Sequence, residues 1–288
     1  MKPIPKFWTA RSERVTDPGG QPFALRMWGW STASLAEAAE MAADRLRSAV
    51  ERVRTGQDLG RYYPRLPLRE ETLGELTGPD GALLAVVTRN RYGAEVLNTD
   101  RVLIADVDLP PAAGTPGGLL GRLLGRRSQD SGAEDARREQ VALDRIGGFA
   151  GAHPDLGTFV YRTAAGLRVI VTGTGAAPDS DAAAAVLSEL DSDPVYVRLC
   201  AATQTYRARL TPKPWRCGWR RMTVGWPPED DRQQERAQRW QQGYAARSAG
   251  YATCRRISSS GAQPSVEDAM VLELHDGASG VARDLPLA

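Results

Sequence analysis

The sequence predicts an α+β fold organised on a split βαβ, or palm-like, sheet with helices on one face. Three observations support this. From Val102 onward, strand-like and helix-like segments succeed one another in the order β-α-β-β-α-β. Within that series FVYRT and LRVIVTG are separated only by a tight AAG turn, the mark of a hairpin. The chain has 288 residues, 42% of them hydrophobic, enough to bury such a core as one large domain or two small ones.

Each element has its own signal. KFWTARSERV and PFALRMWGWS flank the DPGGQP turn at Asp17 to Pro22 and read as two paired strands. Leu35, Ala39, Ala42, Leu46, Ala49 and Val53 then follow helical spacing. Ser34 with Glu37 makes a capping box and Gly56 a stop. After a polar, proline-containing connection, ALLAVVT and AEVLNT flank Arg89 to Gly93, and the VLIADVDLP strand follows. Residues Pro110 to Gly132, rich in Pro, Gly, Ser and Arg with a Gly-broken LLGRLLGRR, read as a disordered insertion. A helix from about Glu134 to Ile146 leads to the hairpin, and a second helix covers Asp181 to Leu190. PVYVRL reads as the last strand of the series. A polar helix from about Glu229 to Ala249 and a short one near Val266 to His275 make a helical C-terminal extension. The expected units are 1–93 (the N-terminal strand-helix layer), 94–228 (the core) and 229–288.

Composition narrows the chemistry. The formal charge of +2 sets up no global field toward nucleic acid, so local clustering matters more. Three distant cysteines, with no secretory signal and no apolar run of membrane length, predict a reduced, cytoplasmic protein with no membrane partner. Two histidines, His153 and His275, leave little material for histidine triads or multi-histidine metal sites. Carboxylate and metal chemistry is what remains.

Asp106 and Asp108 carry the first chemical signal. At i and i+2 of a strand they share a face, with carboxylates roughly 7 Å apart, a spacing suited to metal ligation. Two solvated aspartates at a strand exit are the alternative. A second signal lies between Asp193 and Glu229, where no acid occurs. Arg198, Arg207, Arg209, Lys213, Arg216, Arg220 and Arg221 fall inside, interleaved with Tyr206, Trp215, Trp219 and Trp226. Such a segment can neutralise phosphates and stack on bases. It also suits a half-buried strand pair with snorkelling arginines and core tryptophans. The loop Thr88 to Gly93 reads as a hairpin turn that could line a template groove, and Trp28-Gly29-Trp30 as packing of the N-terminal strands on the helix.

The ordered set VLIADVDLP, YRTAAGLRVIVTG and SDPVYVRLCAATQTYRARLTPKP resembles the three motifs of the archaeo-eukaryotic primase, or primase-polymerase, superfamily. The resemblance covers roughly Ala94 to Trp215. It implies a primase-like RRM or palm-like core, with Asp106, Asp108 and Asp193 as catalytic metal ligands on neighbouring strands, and Asp191 as the less favoured third acid. It places Arg168, Thr163, Arg207, Arg209, Lys213 and Arg216 against nucleoside triphosphate or single-stranded DNA or RNA template. Any helicase or replication protein would be a separate chain. The family's histidine falls on Arg168, which can grip phosphate bidentately but cannot exchange protons at neutral pH. If the acids converge, the chemistry is two-metal phosphoryl transfer, with Mg²⁺ or Mn²⁺ ions roughly 4 Å apart. Two other functions stay open: a catalytically degenerate nucleotide-binding module, and a metal-dependent phosphodiesterase or nuclease.

Overall fold

The computed structural model describes residues 1, 3–57, 67–109 and 129–288. Strands β1 (Phe7–Thr16) and β2 (Pro22–Ser31) form the expected antiparallel hairpin, and Gly20 takes a left-handed φ of 83° in its turn. Helix α1 (Leu35–Arg54) lies on one face of it. Phe23, Leu25 and Met27 of β2, with Val15 of β1, meet Leu46, Ala49, Val50 and Val53 of the helix. Gly29 continues that alternating face. A Cβ there would lie 2.1 Å from the Ala38 carbonyl oxygen, so only glycine admits this approach. The capping box is half made: Ser34 Oγ accepts from Glu37 N, but the Glu37 carboxylate takes the Ser31 hydroxyl instead of Ser34 N.

The second sheet, in the order β3-β4-β5-β9, is antiparallel throughout: β3 (Glu71–Thr77), β4 (Leu83–Arg89), β5 (Glu95–Thr99) and β9 (Tyr206–Arg209). Its middle hairpin is the one expected around Arg89 to Gly93. The boundary expected at 93/94 cuts this hairpin, so the first and second units share a sheet.

The third sheet runs β10-β7-β8-β6, from β6 (Leu103–Asp108), β7 (Gly157–Thr163), β8 (Gly166–Thr172) and β10 (Cys254–Gly261). Strand β8 is antiparallel to both neighbours, so β6 and β7 run parallel. Helix α2 (Gln129–Ala152) connects them, which gives the split βαβ. Residues 129–132, expected inside the insertion, are the first turn of α2; the rest of that insertion, 110–128, lies outside the described residues. Helix α3 (Asp181–Glu189) falls where expected.

PVYVRL is a helix, not a strand. It opens α4 (Pro194–Thr203), where Asp193 caps the first turn by accepting from Val195 N at 3.0 Å and Tyr196 N at 3.3 Å. Pro194 at the first helical position is preorganised for this start, and Tyr196 and Cys200, one turn apart, are buried. Capping and one-turn burial outweigh the strand propensity of the two valines. Strand β9, which follows, passes beside β6 but hydrogen-bonds to β5. Helices α5 (Asp231–Ser248) and α6 (Val266–Ser279) are present, but the C-terminal region is not purely helical: β10 lies between them and pairs with β7.

One apolar core joins the last two sheets, including Leu84, Leu97, Leu103, Ile104, Phe149, Tyr161, Ile170 and Tyr206. All three cysteines are buried and free. Among the described residues, no helix is long and apolar enough to cross a membrane.

Candidate nucleotide-binding cleft

The end of β6 carries the acids. Asp106 is half-buried and Asp108 exposed, and the two share a face as their spacing requires. Asp193 is not on a neighbouring strand, yet the start of α4 brings it to β6. Its backbone N–H donates to the Asp106 carbonyl at 2.8 Å, and Ser192 Oγ accepts from Asp106 N at 3.2 Å. Desolvation, then Asp106, then Asp193 push the Asp108 carboxyl above the ordinary carboxylate range, against the pull of Lys213 and Arg209. The three acids therefore form one electrostatic cluster. Asp191 turns away in a left-handed conformation (φ 57°) and pairs with Arg145 of α2.

Opposite the acids stand Arg209, Lys213 and Arg216. Desolvation and mutual repulsion lower Lys213 and Arg216, and Asp106 and Asp108 oppose that shift. Among the described residues none of these three cations closes an ion pair within 4.0 Å, and neither do Asp106, Asp108 or Asp193. Arg207, expected beside them, is occupied elsewhere. Its Nη2 donates to both Glu70 carboxylate oxygens at 2.8 and 2.9 Å and its Nη1 to Asn98 Oδ1, with both charged side chains under 10% exposed. Thr88 donates to the same Glu70 carboxylate at 2.6 Å. Arg207 therefore lines the cleft with its charge already paired to Glu70. Thr163 is likewise spent locally, since its hydroxyl donates to Gly166 O and closes the β7–β8 turn. Gly166 is needed there because a Cβ would come within 2.1 Å of Val107 O.

Arg168 sits on β8 directly across from Asp106 and is 2% exposed. Nη1 donates to the Arg209 carbonyl at 3.0 Å and to His275 Nε2 at 2.9 Å. Both acceptors are neutral: burial drives the His275 imidazolium down to about 4. No acid pairs with Arg168 among the described residues.

Of these groups Asp106, Arg168, Arg207 and Arg209 line a cleft of about 710 Å³, with Asp108 on a neighbouring one. Its outer wall is aromatic and basic. Trp8, Trp28 and Trp30 come from the N-terminal hairpin, Arg91 and Tyr92 from the β4–β5 turn, and Arg69 from the segment before β3. Arg69 lies 3.8 Å and Arg26 4.8 Å from the Trp28 ring centre. Trp28 and Trp30 thus serve the cleft, while Gly29 between them meets the helix. The strand's alternation, with Phe23, Leu25, Met27 and Gly29 on one face, was the available signal. Trp215 stands exposed at the rim, edge-on to Tyr92, whereas Trp219 packs with Cys217 and Trp240. The basic-aromatic segment is therefore divided between site and core.

Among the described residues no group of three or more His, Cys, Asp or Glu is arranged to hold a metal ion alone. An all-protein metal cage does not fit. Two carboxylates that repel one another beside unpaired cations do fit the mode in which Mg²⁺ binds through one or two carboxylates together with substrate phosphates. No protein-family model matches the chain, and searches of curated proteins and of solved structures returned no match.

Proposed function

We propose that the chain is a metal-dependent nucleotidyltransferase of the primase-polymerase type, joining nucleotides on a single-stranded template. One observation carries this reading: Asp106 shares a cleft with Arg168 and Arg209, with Asp108, Asp193, Lys213 and Arg216 coupled to it electrostatically, and among the described residues none of these acids closes an ion pair with these cations. Opposite charges that could have bridged, and do not, leave a gap that a polyphosphate with its cation fills. Mg²⁺ or Mn²⁺ held by Asp106, Asp108 and the phosphates would neutralise the triphosphate and activate the attacking hydroxyl.

The chain's own groups divide the remaining work. Arg168 and Arg209 grip phosphate oxygens within the cleft, and Lys213 and Arg216 receive the charge that develops on the leaving pyrophosphate. Asp108 would share the divalent ion with Asp106, which offsets the repulsion between the two carboxylates. Asp193 sets the start of α4 and adds its field to the cluster. The tryptophan and arginine wall gives bases a stacking surface and phosphates a countercharge.

A second reading, a module that binds nucleotide without turnover, is favoured by Arg168. The residue in the place of the family's histidine is buried, hydrogen-bonded and unable to exchange protons at neutral pH. Incubation with labelled nucleoside triphosphates, single-stranded template and Mn²⁺ separates the readings by product length. Extension that Asp106→Asn abolishes supports the transferase. Binding without extension supports the retired module, and template shortening supports a hydrolase.

A further inference from the structure

We propose that His275 is a positioning residue: from helix α6 its bare Nε2 aims the Arg168 guanidinium at the cleft and leaves that charge free for an anionic ligand. The anion's identity rests on the nucleotide reading above; the orienting bond does not.

Arginine has no acceptor, so the nitrogen facing Arg168 Nη1 at 2.9 Å must be unprotonated. The proton sits on Nδ1, which donates to Asp276 Oδ1 at 2.8 Å, and Arg256 holds the far oxygen of Asp276 at 3.5 Å. The ring is fully buried, edge-on to Tyr161 with centroids 4.9 Å apart, and Cys254 Sγ lies 3.9 Å from Nε2. This is the way a carboxylate behind a histidine fixes its tautomer and ring plane.

The choice of imidazole has a physical consequence. A carboxylate in that position would orient Arg168 equally well but would cancel its charge and compete with phosphate, as Glu70 does for Arg207. A neutral ring orients without cancelling. Nη1 is held by His275 and the Arg209 carbonyl, and among the described residues no protein acceptor meets Nε or Nη2. Those two atoms form the edge of the guanidinium suited to a bidentate oxyanion.

Two measurements test the proposal on the full chain. The protein has only two histidines, so long-range ¹H–¹⁵N spectra, with His153→Gln for assignment, read the His275 tautomer directly. A neutral ring with the proton on Nδ1 at pH 7 is expected; an Nε2–H ring or an imidazolium overturns the proposal. The second measurement is calorimetric binding of inorganic tripolyphosphate. His275→Leu should weaken it roughly ten- to hundredfold, the effect of losing one hydrogen bond to a charged group. His275→Gln, whose amide oxygen can replace Nε2, should recover most of the affinity. In an Arg168→Ala background His275→Leu should change nothing further. Unchanged affinity in folded His275→Leu, or an equal loss in both backgrounds, overturns the proposal. Should His275→Leu fail to fold, retained affinity in His275→Gln together with the Nδ1–H tautomer supports it, and loss of affinity in that variant overturns it. A wild type that binds no tripolyphosphate sinks the nucleotide reading, and the tautomer alone then decides whether His275 orients Arg168.

Discussion

Replacing Arg207 should damage the fold, not the ligand site. Its guanidinium makes two bonds to Glu70, at 2.8 and 2.9 Å, and a third to Asn98, with the side chains of the pair 9% and 8% exposed. Arg207→Met leaves the Glu70 carboxylate buried with, among the described residues, the Thr88 hydroxyl as its one side-chain donor. Removing one member of a buried pair costs about 3–5 kcal/mol. At roughly 2–4 °C per kcal/mol for a chain of this size class, the Tm should fall by roughly 6–20 °C. Glu70→Leu should cost a similar amount, and the double variant Glu70→Leu/Arg207→Met much less than the sum, because neither charge is then stranded. Thermal unfolding followed by circular dichroism reads all three, with tripolyphosphate affinity measured alongside. A Tm within about a degree of wild type combined with weakened tripolyphosphate binding would refute this account and return Arg207 to the ligand.

Two further outcomes follow from the same geometry. Asp108 has its carboxyl raised by desolvation, Asp106 and Asp193, so the folded state holds that proton more tightly than the unfolded state; its contribution is intact below the ordinary value of 3.8 and is lost as pH rises through the folded-state value. Asp108→Asn should therefore raise the Tm at pH 7, with the gain shrinking toward pH 4, and should abolish extension; a lower Tm at pH 7 would show that the acids do not repel. Gly29→Ala places a methyl 2.1 Å from the Ala38 carbonyl and 2.4 Å from Ala42 N, so α1 must shift, at a cost of about 1–3 kcal/mol in urea unfolding; an unchanged unfolding midpoint would mean that helix and hairpin are not closely docked.

Elements with local signals were legible. The β1–β2 turn, helix α1 and the AAG hairpin each announce themselves within a continuous local stretch, through turn chemistry or periodicity. Strands β3 and β10 do not, because they are edge strands: of the eight residues in CRRISSSG only Cys254 is buried, and no alternation survives such exposure. PVYVRL was misread because its two valines speak for a strand, while the deciding signal, an aspartate followed by proline, stands outside the apolar run. Asp106 and Asp108 could be found because strand parity alone places them together. Arg207 and Arg209 share that parity on β9 and look equivalent in sequence. What separates them is Glu70, 137 positions away, and no local pattern reports it. The Arg168–His275 contact spans 107 positions and was equally hidden.

That difference between Arg207 and its neighbours extends to other arginines of the chain. Arg89 is held by Glu71 and Glu95, Arg145 by Asp191, Arg162 by Glu139 and Arg207 by Glu70. The chain thus spends carboxylates on Arg89, Arg145 and Arg162 away from the acid cluster and on Arg207 within the cleft. Around Asp106 it withholds them: Arg168 receives a ring nitrogen and a carbonyl, and among the described residues Arg209, Lys213 and Arg216 close no ion pair with the acids that act on them. Stability alone does not favour this, since desolvation and mutual repulsion lower Lys213 and Arg216, and desolvation followed by its acidic neighbours raises the Asp108 carboxyl. A ligand that brings anionic oxygens to the cations and a divalent ion to the acids relieves both strains at once. A ligand carrying only one sign relieves half of them, so on the reading proposed above a metal–polyphosphate should bind here more tightly than a metal or an anion alone.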